Sequence, residues 1–293
     1  MKNFNNIIRS FLIVLSIGFV ACTERMDIDV NDAPVQLAIY GSITTDTTQH
    51  VITVQQTSNY FSNSQPVGIS GATVSISDDE GNTFTLSESQ NGEYLTDADV
   101  FGVEGKTYTL KVRAEFNGEA GEYEATSYLP YHVQVDSVKL QPSKTASTAN
   151  IIDALLYGRL PENSSNNYLN IKTYKNNNIP LDAKLADFNI ITSENGTNKE
   201  INGDVCANFR DGGTRTNSID KGDLITIQVC SVTKEYADYV LNAQKELQGS
   251  IPIFSGPPAN VQTNIRAKNA SEKASVCGFF TAYSKRSCKV LFE

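Results

Sequence analysis

The chain has 293 residues, is 40% hydrophobic and carries a net charge of −9, with 24 Lys and Arg against 33 Asp and Glu. That balance excludes a nucleic-acid partner, which needs clustered cations to displace phosphate counterions, and disfavours adhesion to an anionic lipid surface. Trp is absent and Met occurs twice, while Thr, Ser, Asn and Val abound, a composition of strands and turns rather than helices.

Lys2 and Arg9 precede an apolar run from Phe11 to Val20 that is too short to span a bilayer and suits a signal peptide. Ala21 supplies the small residue before Cys22, although Phe19 stands where a lipobox usually has Leu. Residues 1–21 are therefore predicted to be a lipoprotein signal peptide, with Cys22 the diacylglycerol acceptor. Cleavage there removes two cations and no acidic residue, taking the net charge from −9 to −11. Residues 22–34 read as a lipidated acidic tether. Asp27, Asp29, Asn31 and Asp32 resemble the start of a calcium loop, but Asp32 stands where the loop needs Gly and Ala38 where it needs Glu.

Residues 35–130 alternate strand and turn. Gln36 to Ile43, His50 to Gln55 and Gly71 to Asp78 are strand candidates, and Ala72, Val74 and Ile76 share one face of the last. Asp78 to Asn82 is a turn whose acidic cluster serves a hairpin better than a cation, and Thr83 to Leu86 returns from it. Asn91 to Tyr94, Gly105 to Val112 with Tyr108, Leu110 and Val112 inward, and Gly121 to Leu129 complete the set. Short strands bounded by Gly, Asn or Asp predict a β-sandwich of immunoglobulin-like or prealbumin-like type.

Residues 131–293 are predicted to form a second β-rich, sandwich-like domain, so the fold class is mainly β with one helix in the C-terminal domain. Val133 to Leu140, Ala154 to Leu160, Tyr168 to Tyr174 and Leu224 to Cys230 are its strands. The helix spans about 233–248, with Thr233 as cap and Tyr236, Tyr239, Val240, Ala243 and Leu247 as its packing face. Gly249 to Pro258 stops it. Cys277 to Tyr283 and Lys289 to Phe292 are read as a last hairpin with Ser284 to Ser287 at its tip.

Besides Cys22 the chain holds Cys206, Cys230, Cys277 and Cys288, an even set that in an exported protein reads as two disulfides with three possible connectivities. Cys206–Cys230 and Cys277–Cys288 are favoured because each closes a short loop between strand candidates. A zinc site lacks both Cys-x-x-Cys spacing and a nearby histidine, so no metal and no cofactor is expected. His50 and His132 stand alone, and no nucleophile elbow, phosphate loop, dinucleotide fingerprint or zinc-protease motif occurs, so no catalytic residue is assigned. Asp46-Thr47-Thr48 and Asp136-Ser137-Val138 match a short bacterial O-glycosylation pattern, making Thr47 and Ser137 candidate acceptors.

Cys22 followed by Met26 to Val30, and Leu37 to Thr44, resembles the start of a Bacteroidota lipoprotein family defined by a domain of unknown function, DUF4249. Pro66 to Ser77, Asn91 to Tyr94, Gly105 to Leu110, Pro252 to Ser255 and Thr263 to Ile265 are similar to that family's recurring text. Ala274 to Phe279 replaces its usual Gly-rich ending. The resemblance implies a lipid-anchored outer-membrane protein whose partner is a TonB-dependent transporter barrel, because such lipoproteins are commonly encoded beside one. It implies a non-catalytic accessory or ligand-capture role, with Tyr60 to Gly68 and Asn176 to Ile179 among the contact loops. A surface adhesin that binds glycan or host protein directly is the alternative, and a hydrolase ranks third.

Overall fold

Period-two patterning builds most of this molecule. Tyr108, Leu110, Val112, Ala114 and Phe116 are buried, while Lys111, Arg113 and Glu115 between them are exposed, which is how a strand with one wet face must read. The structure, a computed structural model, describes residues 35–58, 66–144, 150–162, 167–176, 179–182, 184–193, 199–213, 217–247, 261–268 and 276–293. The expected signal peptide, Cys22, the tether, most of the loop from Tyr60 to Gly68, and the loop from Gly249 to Pro258 lie outside those residues.

In chain order the strands are β1 (Leu37–Thr44), β2 (Val51–Gln56), β3 (Val67–Gly68), β4 (Thr73–Asp78), β5 (Thr83–Gln90), β6 (Glu93–Leu95), β7 (Thr107–Phe116), β8 (Glu119–Tyr128) and β9 (Gln134–Pro142). There follow β10 (Ile151–Arg159), β11 (Asn167–Lys175), β12 (Ile179–Pro180), a 3-10 turn (Leu185–Asp187), β13 (Asn189–Ser193), β14 (Glu200–Asp211), β15 (Ser218–Ile219) and β16 (Leu224–Val232). Helix α1 (Lys234–Leu247), β17 (Arg266–Ala267) and β18 (Val276–Leu291) close the chain.

The fold is mainly β, sandwich-like and without barrel closure. One sheet of 14 strands runs β12-β11-β16-β18-β1-β2-β6-β5-β4-β7-β8-β17, with β13 on β11 and β3 on β2; a second has four strands, β15-β14-β10-β9. The first core lies among β1, β2, β4, β7 and β8 and includes Ile39, Ile52, Val74, Tyr94, Leu110 and Phe280. The second joins the four-stranded sheet to β11 and β16 through Ala154, Phe209, Ile171, Ile225 and Ile227. The expected boundary at 130/131 falls between β8 and β9, and Val35–Glu293 forms one compact unit.

The last hairpin expected from sequence is instead one continuous strand of 16 residues, β18. Its first half pairs in parallel with β1, from Leu37↔Val276 to Thr44↔Tyr283. Its second half pairs antiparallel with β16, from Ser231↔Ser284 to Leu224↔Leu291. The polar stretch from Ser284 to Ser287 looked like a tip, but its charges have partners: Lys285 pairs with Asp46, and Arg286 lies 3.7 Å from Glu104.

The strand geometry overturns both favoured disulfides, Cys277–Cys288 through the continuity of β18 and Cys206–Cys230 through the facing of β16. Cys277 and Cys288 sit eleven residues apart on one strand, roughly 36 Å at the rise of an extended chain, against a reach of about 7 Å between bridged Cα atoms. On β16, Ile225, Ile227 and Val229 face the second core, which also holds Cys206, whereas Cys230 projects to the opposite face beside Val232 and Ala237 of α1. All four cysteines are free thiols in this structure.

Helix α1 forms where the sequence predicts it. Thr233 Oγ1 accepts the Tyr236 amide at 3.3 Å, satisfying one of the first-turn donors. Ala237, Val240 and Ala243 are buried. Tyr236 and Tyr239 pack on Phe279, with ring centroids at 5.6 and 4.8 Å. Leu247 is 61% exposed and takes no part in the packing face.

The acidic turn after β4 is a hairpin device, as its composition suggests. Asp78 Oδ1 accepts the Glu80 and Asn82 amides at 3.1 and 2.9 Å, and Oδ2 accepts Asn82 Nδ2 and Lys106 Nζ at 2.8 Å each. Burial pushes this carboxyl up, but the donors from Asn82 and Lys106 outweigh it and hold it at about 2. A depressed carboxyl contributes stability above its unfolded value and loses it as pH falls through the folded one. Asp78→Asn is therefore expected to lower the urea midpoint at pH 7 and to erase the part of acid destabilisation that falls between pH ~4 and ~2; equal midpoints at pH 7 would contradict this.

One glycine is required by the seam. Gly278 has φ of 104° in the parallel pair with β1, and a Cβ there would be driven into the Ile39 carbonyl oxygen. Gly278→Ala should cost at least ~1–3 kcal/mol from the backbone conformation alone, read as a lower urea midpoint; a wild-type midpoint would refute the close approach.

Candidate functional site

Two recesses on the described surface bear on a candidate site. The larger, about 780 Å³, lies between α1, β8 and the segment around Asn264. Its polar groups hold the fold together: Asn264 donates to Phe280 O at 2.8 Å and accepts from Phe280 N at 3.0 Å, Thr263 Oγ1 donates to Gly278 O, and Lys268 pairs with Glu124 at 2.6 Å. This recess is a seam between α1, β8 and β18.

The other, about 640 Å³, is a different kind of place. Ile171 and Thr173 of β11 and Ala207, Asn208 and Phe209 of β14 form its walls, and Leu181, Asp182, Asp187, Phe188 and Asn189 form its rim with Asn217. Local structure fixes each part. β13 lies antiparallel on β11, with Ile171↔Asn189, which places the 3-10 turn beside the opening. Gln244 of α1 clamps that turn, donating to Leu185 O at 3.0 Å and Phe188 O at 2.7 Å. Asn208 Nδ2 donates to Asp153 Oδ1 at 2.7 Å, and Asn189 Nδ2 to Cys206 O, which orients both carboxamides.

Asp182 carries the electrostatic signature. Burial raises its carboxyl, and neighbouring Asp187 adds to the rise, against the Thr173 amide that Oδ2 accepts at 3.0 Å and the Lys172 charge. Two carboxylates, three carboxamides and two phenyl rings thus converge on one hollow. The arrangement presents acceptors, amide donors and apolar faces, the lining of a site for a polar ligand that is not anionic. Among the described residues, no group of three or more His, Cys, Asp or Glu is placed to hold a metal ion.

The sequence-predicted positions lie elsewhere. Thr47 is exposed after β1, and Ser137 is half-buried on β9 opposite Tyr157. Cys206 and Cys288 line the second core, Cys230 sits beneath α1, and Cys277 neighbours Tyr40. His50 is buried, with Nε2 3.2 Å from Val100 O, and burial lowers its pKa. His132 Nδ1 lies 2.8 Å from Glu104. Of the expected contact loop from Asn176 to Ile179, residues 177 and 178 lie outside the described residues; the Asn176 side chain donates to Asp223 at 2.6 Å and accepts the Leu224 amide at 2.9 Å. Sequence reasoning missed Asp182 and Asp187, which no motif marks.

Fold and hollow together define a sandwich-like β protein with a recessed acidic, amide-lined cleft. The model of the domain of unknown function DUF4249 matches residues 23–289, and the chain belongs to that family. No curated protein matches the sequence. Among solved structures the chain is similar to the BSP domain of a biofilm associated protein, at 14% identity and a TM-score of 0.21. That likeness covers 89% of this chain and 29% of the other, and no argument rests on it.

Because the Asp182 carboxyl is raised in the folded state, stability falls as pH climbs from the ordinary carboxylate value through the raised one, and stays reduced above it. Asp182→Asn should raise the urea midpoint at pH 7, with the gain vanishing near pH ~3. A lower midpoint at pH 7 would show that the charge stabilises the fold.

Proposed function

We propose that this chain is a non-catalytic binding subunit, anchored to the outer membrane through a lipid on Cys22, that captures a ligand for a TonB-dependent transporter. The hollow rimmed by Asp182 and Asp187 carries the proposal, because its carboxylates, oriented carboxamides and phenyl rings converge on one opening where burial and a second carboxylate disfavour the ionised Asp182. Such a lining suits a neutral or cationic, hydroxyl-rich ligand and repels an anionic one. The lipobox and the family resemblance support the anchor and the partner. Pull-down of the native protein from solubilised outer membrane is expected to recover a barrel protein with it; recovery of the chain alone would overturn the transporter role. Cys22→Ser should leave the fold intact and move the protein to the soluble fraction, and a variant that stays with the membrane would refute the anchor.

The same lining favours a second reading, a surface protein that binds glycan without a transporter. Binding of neutral oligosaccharides by the Cys22→Ser chain alone, lost in Asp187→Arg, would select it.

A further inference from the structure

The register that overturns the favoured disulfides leaves one pair of thiols in a common compartment. Cys206 is the extra residue of a β-bulge: Ala154 pairs with Ala207 and Leu155 with Val205, so Cys206 has no partner on β10. Bulges re-aim side chains, and this one buries Cys206 to 1% exposure in the core between the two sheets. Cys288, on β18 in the other sheet, packs against the same core, with the core residue Ile227 as its cross-strand neighbour. The remaining thiols are shut out. Cys230 faces α1 on the far side of β16, opposite Lys285, three residues along β18 from Cys288. Cys277 lies at the other end of β18, paired with Ala38.

We propose that Cys206 and Cys288 form this protein's one intramolecular disulfide, tying the four-stranded sheet to the long one, while Cys230 and Cys277 remain thiols. Burial raises the Cys206 thiol to about 12, and the neighbouring Cys288 adds to the rise, as expected of thiols close enough to interact. The more exposed Cys288 is the entry point. Its thiolate attacks the disulfide of an exchangeable oxidant such as oxidised glutathione, releasing one reduced thiol and leaving a mixed disulfide. Cys206 then attacks the Cys288 sulfur as its proton passes to the departing thiolate, which leaves as the second reduced thiol. Two S–H bonds are lost, one S–S bond forms, and the two electrons reside on the oxidant. The bond would close a long loop, from 206 to 288, and so restrict the unfolded chain.

The test uses the full chain carrying Cys22→Ser, incubated folded with oxidised glutathione, then unfolded, alkylated and mapped without reduction. The expected result is one linked peptide pair, Cys206 with Cys288, with Cys230 and Cys277 alkylated. The urea midpoint of the oxidised form should exceed that of the reduced form, and Cys277→Ser should keep the cross-link. Four alkylated cysteines, a stable glutathione adduct on Cys288 without the cross-link, or a bridge between any other pair would overturn the proposal.

Discussion

The structure depends on the pairing of its first strand with its last. β18 supplies Phe280 and Ala282 to the first core, and Cys288 and Val290 to the second, with Phe292 just beyond its end, so neither core closes without it. Parallel pairing of Leu37 with Val276 spans nearly the whole described chain. Contacts of such separation are expensive in chain entropy and form late. Gly278 is where the constraint becomes absolute, because only a residue without a side chain lets the two backbones meet there.

The middle of β18 shows what such a seam needs. Lys285 and Arg286 sit where the strand changes partner from β1 to β16. Lys285 reaches Asp46, just beyond β1, and Arg286 reaches Glu104 and His132, whose Nδ1 it approaches at 3.0 Å. The loop before β7 and the connection after β8 are thereby fastened to the last strand. Isolated exposed ion pairs contribute little; these are half-buried and shared among three segments, which favours a defined geometry over raw stability.

Periodicity made β7, β16 and α1 legible, since each has a clean repeat and a local stop. It failed where tertiary structure sets the rule. β18 carries four polar residues in a row because its neighbours supply opposite charges and backbone partners, information that sequence near residue 285 does not hold. β14 has bulges opposite Leu155 and Tyr157 that interrupt its alternation, so its twelve residues never read as a strand. The hollow was illegible for a related reason: Asp182, Asn208 and Asn217 meet only when β11 and β14 face each other.

Two aspartates contrast a buried charge that the fold answers with one that it answers less well. Asp78 and Asp182 both follow or end a strand, and burial raises the carboxyl of each. At Asp78 four donors answer the charge, and the net effect holds the carboxyl down, so it stabilises the hairpin that surrounds it. At Asp182 the Thr173 amide, its own amide and the Lys172 charge answer it, but burial and the nearby Asp187 outweigh them, and the net effect is unfavourable to the ionised form. A fold selected for stability alone would pair or remove such a group. A charge kept at a cost, beside oriented carboxamides at the mouth of a hollow, is the kind of local inconsistency that supports the proposed binding role.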